Sequence, residues 1–491
     1  MNVPPRRPLF TRRPESNLYR MFFWVLLALG GVWLILQIRG GQIKSPFDPP
    51  LAPTRTSASY ALEGDAQFTA GNIGESIAAY QEAVRVDPKN ANAWAELARI
   101  QTYSSSLLTT DAERVARLKE SLQSATKATQ LAADDSTTHA VLAFALDWNA
   151  DASLFTDDVV QRNLTQADQE ALHALQLDPT NTLAAAYYAE ILVDEQKWTQ
   201  ADQYIKQAVD QDPSLMDVHR VYAYVLESLG EYNLAIQEYD KAIAITPKLT
   251  FLYLRAGANY RTLGFKSPNE ENQKQLFLKS LDYFAKAASI NTELQVKDPV
   301  PYLSIAKTYS QQGEYFIAAR NVQKALDFQP NNPDFYGQLG IIYFKSRNYE
   351  GSIPALACAV KGCSGEDSCK GRGLDACDQQ DPPQDVPGLP LSLGSVDYYQ
   401  VYFSVLAALG PRDATYCPEA ARVISLVRAS GYEKDRPDIT ANITAAQLEC
   451  SSAPENVSPG GPTPTAPTPK AVFTSTPFPT ETPFGGTTPT P

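Results

Sequence analysis

Six cysteines are the residues with the most evident capacity for chemistry, and all lie in the last third of the chain. Four of them are separated by gaps of four, five and seven residues, whereas zinc sites use closely paired cysteines or nearby histidine. In a thiol-oxidising compartment an even number of cysteines indicates disulfides, with free thiols and a metal site as alternatives. The sequence leaves the connectivity open, although we expect Cys417 to pair with Cys450 across the last helical segment. The disulfide candidates are Cys358, Cys363, Cys369, Cys377, Cys417 and Cys450.

The sequence contains no recognisable catalytic set of histidine, acid and nucleophile, and no phosphate-binding loop. Only three histidines occur, His139, His173 and His219, and no acid and nucleophile accompany them as a set. His139 and His219 stand at the fourth position of a predicted helix, where Trp94 stands in another, which indicates packing or solvent exposure. No HExxH, GxSxG or glycine-rich phosphate motif is present. We therefore predict a protein that is not an enzyme, with no catalytic residues, no metal and no cofactor.

An apolar segment near the N-terminus predicts a membrane span. Residues 21–38 carry no charge, and a helix of that length crosses the hydrocarbon layer of a bilayer. The basic segment 1–20 precedes it, so the positive-inside rule places the N-terminus in the cytoplasm and the rest outside the cytoplasmic membrane. A cleaved signal peptide is the alternative, but the small-residue triplet Ala28–Leu29–Gly30 lies inside the apolar run, not after it.

The composition separates a globular middle from two unusual ends. Apolar residues make up 44% of the chain, so a sizeable core is available. The net charge is −13, and seven of the 42 Lys and Arg residues fall within residues 1–44, so the rest of the chain is more acidic still. An acidic body argues against nucleic acid as a partner. Residues 39–56 are a Pro/Gly-rich linker, and the Pro/Thr-rich tail 451–491 is predicted to be disordered.

The middle of the chain repeats with a period of 34 residues. Pro179, Pro213 and Pro247 follow this period, and alanine stands five positions before each of them. Glycines are placed where a first helix should stop, at Gly71, Gly230, Gly264 and Gly313. Small residues at fixed offsets, such as Gly64, Ala98, Gly257 and Gly340, let paired helices approach closely. This pattern resembles the tetratricopeptide repeat (TPR) family, in a membrane-anchored bacterial type, and the resemblance implies an all-α solenoid.

About nine helix–turn–helix repeats account for the region after the linker. Repeats one to eight are predicted to cover residues 57–364, with insertions in the second, third and sixth. A loop rich in Cys, Gly and Pro follows at 365–395, and a looser helical repeat at 396–450 caps the array.

The resemblance implies a protein-interaction scaffold that binds protein or peptide partners on its concave face, with no small-molecule substrate. Four basic side chains in the implied groove favour a partner with acidic residues, and we expect these groove residues to be exposed. Family members that clamp a C-terminal carboxylate have Asn where Glu190, Tyr224 and Lys307 stand, so that clamp is disfavoured. A cell-envelope structural protein contacting wall polymer, or a non-catalytic subunit of an envelope enzyme, are the alternatives. The groove candidates are Arg220, Tyr224, Glu227, Leu254, Arg261, Lys307, Gln311, Phe344 and Lys345.

Overall fold

The computed structural model describes residues 17–39, 55–374, 376–377, 382–413, 415–434 and 436–451. Most of the basic segment 1–20, most of the linker 39–56, part of the loop 365–395 and nearly all of the tail 451–491 therefore lie outside the described residues. Helix α1 (Leu18–Arg39) contains the predicted span and is exposed from Leu18 to Leu36. By length and composition it can cross a membrane.

The rest of the described chain is built almost entirely from helices, which confirms the all-α fold class. It divides into two compact units, Met1–Thr308 and Tyr309–Pro491. After α1, the first unit consists of six packed helix pairs, in which a first helix is joined to a second helix by a short connection. The pairs are α2 (Ser57–Thr69) and α3 (Ile73–Val86); α4 (Ala91–Ser105) and α5 (Asp111–Leu131); α6 (Ser136–Trp148) and α7 (Asp157–Leu177); α8 (Thr182–Asp194) and α9 (Trp198–Gln211); α10 (Met216–Ser228) and α11 (Tyr232–Ile245); α12 (Thr250–Lys266) and α13 (Glu270–Glu293).

Glycine and proline set the ends of these helices as the sequence predicts, with one exception. Gly71 and Gly230 adopt positive φ angles of 83° and 82° in the turns after α2 and α10, a conformation that glycine adopts without strain. Gly264 was expected to end a first helix, but it lies buried inside α12, two residues before the helix ends. The ring of Phe277 packs 3.0 Å from where its Cβ would be, so this glycine provides packing space and not a turn.

Small residues bring the two helices of a pair together. A Cβ on Gly257 of α12 would lie 2.6 Å from the ring of Phe284 on α13, and Gly64 of α2 meets the ring of Tyr80 in the same way. These aromatic rings are buried against the glycine backbone. A larger residue would have to displace them, so the spacing of small residues in the sequence determines how closely the helices pack.

The second unit contains fewer helices and three disulfides. Helix α14 (Val300–Gln311) spans the boundary between the units. It is followed by α15 (Tyr315–Phe328), α16 (Pro333–Lys345), α17 (Tyr349–Lys361), β1 (Gly362–Cys363), α18 (Gly365–Gly371), β2 (Val386–Pro387), α19 (Val396–Leu409), α20 (Tyr416–Ser430), a 3₁₀ turn (Tyr432–Lys434) and α21 (Pro437–Ser451).

The described part of the segment predicted as a loop at 365–395 contains more regular structure than its composition indicates. It contains α18, and β2 pairs with β1 in an antiparallel arrangement. Cys358 is bonded to Cys363 and Cys369 to Cys377, so the four closely spaced cysteines form two short-range crosslinks. Cys417 and Cys450 form the third bond, which joins the start of α20 to the end of α21.

Candidate binding cavity on the inner face of the first unit

The six helix pairs follow a strongly curved path, so first helices that are far apart in the sequence touch. Arg99 on α4 donates to Asp217 on α10, with Nη1 3.1 Å from Oδ2. Tyr103, also on α4, stacks on Phe251 of α12 with ring centroids 5.2 Å apart. We call the surface formed by these first helices the inner face. Because α4 contacts α10 and α12 across it, much of the inner face is filled by side chains instead of forming an open groove.

A buried carboxylate lies at the centre of these contacts. Asp217 is only 6% exposed and accepts hydrogen bonds from Arg99 and from the hydroxyls of Tyr103 and Tyr187, the last at 2.7 Å. Burial by itself would raise the pKa of Asp217, but Arg99 and the two hydroxyls lower it below its ordinary value. The carboxylate is therefore ionised and fully bonded, as a buried charge requires.

A second buried ion pair lies beside the first. Arg220 donates to both carboxylate oxygens of Glu190, at 2.8 and 2.6 Å, and the indole nitrogen of Trp148 donates to the same carboxylate at 3.1 Å. Arg220 and Glu190 are 6% and 4% exposed. The expectation that Arg220 is an exposed groove residue is therefore wrong. The cause is the curvature of the inner face, which encloses this position between neighbouring first helices.

A cavity of about 680 Å³ opens next to this ion pair. The C-terminal turns of α4, α6 and α8 border it, and Tyr224, Leu254 and Arg255 come from α10 and α12. Its volume falls in the range of sites that hold small ligands or peptide side chains. It is lined by Ser105, Ser106, Arg114, Leu118, Asp147, Trp148, Ala150, Asp151, Ala152, Val160, Leu164, Glu190, Asp194, Arg220, Tyr224, Tyr239, Phe251, Leu254, Arg255 and Val300.

Two aspartates line the cavity wall and affect each other's pKa. Asp147 is 3% exposed, and among the described residues no donor bonds its Oδ1. Asp194 is exposed, and its Oδ1 accepts a hydrogen bond from the Tyr224 hydroxyl at 2.5 Å. Burial raises the pKa of Asp147 well above its ordinary value, with Asp194 and Glu190 adding to the effect. Desolvation in the cavity wall raises the pKa of Asp194 to about 6, although the Tyr224 bond opposes the shift.

The structure brings only some of the predicted groove residues together. Arg220, Tyr224 and Leu254 line the cavity. Glu227 does not line it, but it accepts a hydrogen bond from the lining residue Arg255 at 3.0 Å. Asp147 and Asp194 were missed by the sequence interpretation, which assigned the stretch containing Asp147 to an inter-helix insertion. The available signal was an acidic residue in the last turn of two successive first helices.

The remaining groove candidates occupy other places. Arg261 donates to the carbonyl of Ser304 at 3.3 Å, and Lys307 is exposed. Partial desolvation by neighbouring side chains is the main cause that lowers the pKa of Lys307, and Arg261 lowers it further. The other three belong to the second unit, where Gln311 and Lys345 are exposed and the ring of Phe344 lies 5.5 Å from that of Tyr349.

Two of the histidines have structural roles that recur along the repeats. Nε2 of His139 donates to the carbonyl of Ala133 at 2.8 Å, and Nε2 of His219 donates to the carbonyl of Pro213 at 2.9 Å. Trp94, Tyr253 and Tyr336 make the same bond to the carbonyl six residues earlier. This position therefore ties these five first helices to the turn before each of them. Within the described ranges, no cluster of three His, Cys, Asp or Glu residues could hold a metal ion.

Comparison with known proteins finds two matching family models. A TPR repeat model matches residues 64–101, and a tetratricopeptide repeat model matches residues 189–249. These stretches include α10 and parts of α2, α4 and α8, which contribute to the inner face. No curated protein matches the chain significantly.

Solved structures of similar helical proteins were also found. A thermophilic TPR protein of Thermus thermophilus is 16% identical, with 42% of this chain and 98% of that chain covered and a TM-score of 0.34. A tetratricopeptide repeat protein from Parabacteroides merdae is 16% identical, with coverages of 58% and 98% and a TM-score of 0.33. The human IFIT1 dimer with m7Gppp-AAAA is 16% identical, with coverages of 82% and 92% and a TM-score of 0.49.

Proposed function

Since the chain is a tetratricopeptide repeat protein, we propose that it is a membrane-anchored, non-catalytic scaffold that binds a partner protein segment in the cavity of its first unit. Such repeats form protein-interaction scaffolds, and the cavity is the observation that carries the choice of site. It is water-accessible, combines apolar walls with polar groups, and lies on the inner face, where the resemblance places partner binding.

Helix α1 supports the membrane part of the proposal. Its exposed apolar side chains have no protein surface to cover them from Leu18 to Leu36 within the described chain. Arginines flank the apolar stretch at Arg20 and Arg39, with four more before residue 14. We therefore infer an orientation with the N-terminus in the cytoplasm and both units outside the cytoplasmic membrane. The exclusion of nucleic acid remains a prediction from the acidic composition.

An export-dependent reporter fused after residue 57 tests the orientation. The reporter should be active in membranes, and deletion of residues 18–39 should abolish the activity, because the apolar helix is then no longer available for insertion. An inactive reporter in a fusion that is inserted in the membrane would show that the orientation is reversed.

Site-specific photo-crosslinking tests the binding site. A photoreactive residue at Leu254, which lines the cavity, should form a discrete adduct with a partner in membranes of producing cells. The matched control is Leu234, an exposed leucine on the second helix α11 that does not line the cavity. The partner crosslinked at Leu254 should then bind the purified full-length chain. Absence of an adduct at Leu254, or the same adducts at both positions, would refute partner binding in the cavity.

A further inference from the structure

The charges in the cavity do not favour an anionic ligand, although three guanidinium groups line it. Each guanidinium is already bonded to a carboxylate, so little positive charge is left for a ligand. These pairs are Arg114 with Asp151 at 3.2 Å, Arg220 with Glu190 at 2.6 Å and Arg255 with Glu227 at 3.0 Å.

Asp147 and Asp194 remain after these pairs are formed. No cationic side chain forms an ion pair with either of them among the described residues. Asp147 is buried with one carboxylate oxygen unbonded, which is costly unless a donor reaches it. Both carboxylates line the same cavity, and Asp194 is open to solvent. A ligand that supplies hydrogen-bond donors and positive charge would satisfy both.

Two further features of the cavity fit an organic cation. The C-terminal turns of α4, α6 and α8 border it, and the negative end of a helix dipole lies at the C-terminus. Trp148, Leu254 and Val300 supply apolar surface that can pack against an aliphatic stem. Because no metal-type cluster occurs in the described chain, a cation carried on a carbon stem fits these groups better than a metal ion.

We propose that Asp147 and Asp194 form a subsite for a basic side chain, lysine or arginine, of the bound partner segment. The charged head reaches between the two carboxylates, and its stem packs on the apolar wall. This inference rests on the proposed function and specifies its partner chemistry. It also replaces the acidic partner expected from the sequence, because Arg220 is already paired with Glu190 inside the protein.

The electrostatics of the site support this assignment. Desolvation is the main cause that raises the pKa of Asp147 and that of Asp194, the latter to about 6, and neighbouring carboxylates raise both further. Around Asp194 are Asp147 and Asp151 from the end of α6 and the loop after it, Glu190 on α8, and Tyr224 on α10, with Arg220 held by Glu190. A bound cation would lower both pKa values, so binding near pH 6 should release protons.

Calorimetric titration of the full-length chain in detergent micelles tests the subsite. The probes are end-blocked heptapeptides of glycine with one central lysine, arginine, norleucine or glutamate. We expect the lysine and arginine peptides to bind, the norleucine and glutamate peptides not to bind, and proton release to be greater at pH 6 than at pH 8. Binding of the norleucine peptide as tight as that of the lysine peptide would overturn the proposal. Tighter binding of free putrescine than of the lysine peptide would contradict the proposal that the bound cation belongs to a peptide side chain.

Two matched variants test whether lysine-peptide binding depends on the cavity carboxylate of Asp194. Asp194→Asn keeps the shape of an exposed side chain and should weaken lysine-peptide binding by about tenfold or more, as expected for a lost charge-assisted bond. Asp210→Asn, at an exposed carboxylate on α9 outside the cavity, should leave the affinity unchanged. Equal affinity in Asp194→Asn and wild type would refute the subsite. Crosslinking at Leu254 does not depend on either aspartate, so an adduct there without lysine-peptide binding would leave the proposed function standing and reject only the cation subsite.

Discussion

The two units of the chain are stabilised in different ways. In the first unit the tightest polar contacts join distant parts of the sequence, as when Arg99 and Tyr103 bond Asp217 across separations of 118 and 114 residues. In the second unit three disulfides join residues separated by 5, 8 and 33 positions. The first unit therefore depends on buried ion pairs formed by curvature, and the second on covalent bonds within short stretches of chain.

This difference shows how the least regular parts of a repeat array are stabilised. Consecutive repeats contact only their neighbours, so an array gains long-range stability only where it curves back on itself. The first unit achieves this through Asp217 and its partners. The last helices, α20 and α21, are joined by Cys417–Cys450, which limits the freedom of the unfolded chain. Changes to either feature should therefore affect one unit and spare the other.

The largest effect is expected for Asp217→Ala. The change leaves Tyr103, Tyr187 and one side of Arg99 buried without their acceptor, which should lower the free energy of unfolding of the first unit by about 3–5 kcal/mol. Hydrogen exchange measured peptide by peptide would report each unit separately. The control is Asp202→Ala, whose partly exposed pair with Lys206 should contribute less than about 1 kcal/mol. An equal loss of protection in both units would contradict the comparison.

The next effect concerns the covalent crosslink of the second unit. Replacing both Cys417 and Cys450 by serine should destabilise the second unit by about 3–4 kcal/mol, because the unfolded chain gains the freedom of a long loop. The first unit should keep its hydrogen-exchange protection. A stable second unit in this variant would show that the apolar core around α19 to α21 holds without the bond.

Opposite pH dependences distinguish the units further. Burial raises the pKa of Asp298 in the first unit from 3.8 to about 6, so the native state binds a proton more tightly than the unfolded chain. Stability of the first unit should therefore fall by up to about 3 kcal/mol as pH rises through this range. Asp298→Asn should remove the part of this dependence that Asp298 contributes, while the raised pKa values of Asp147 and Asp194 keep the same sign in the first unit.

In the second unit the sign is reversed. Hydrogen bonds from Arg422 lower the pKa of Glu419 from 4.5 to about 2. Glu419 therefore stabilises the second unit above its ordinary pKa, and this stabilisation is lost as pH falls towards 2. Unfolding measured over a pH series, with Glu419→Gln as the comparison, checks this. Parallel pH profiles in the two units would contradict the assignment.

The smallest effect is expected for a feature that both units share, the glycines that let the two helices of a pair pack closely. Gly257→Ala in the first unit and Gly340→Ala in the second place a Cβ 2.6 Å from Phe284 and 2.5 Å from Leu356. Overpacking offset by the better helix propensity of alanine should cost about 1 kcal/mol in either unit. Gly74→Ala, which would meet nothing within 4 Å, should not destabilise the protein. Thermal unfolding of the three variants would show whether helix packing within pairs is equivalent across the chain.

The helix pairs themselves could be predicted because their determinants are local. Gly71 and Gly230 mark turns, and Gly64 and Gly257 mark close packing, each within one repeat of its partner. Gly264 shows the limit of this logic. The same residue type can serve as a turn or as packing space, and at Gly264 the ring of Phe277 on α13 occupies the space that a side chain would take.

The sequence by itself determined the helix pairs, the apolar N-terminal helix and the clustering of all cysteines in the last third of the chain. Only the tertiary structure decided that Arg220 is buried with Glu190, that Asp147 and Asp194 line one cavity, and how the four closely spaced cysteines are bonded. The physical reason is that repeat patterns record contacts between neighbours. Curvature accumulates from small rotations at every repeat, so the residues that meet across the inner face leave no periodic signal in the sequence.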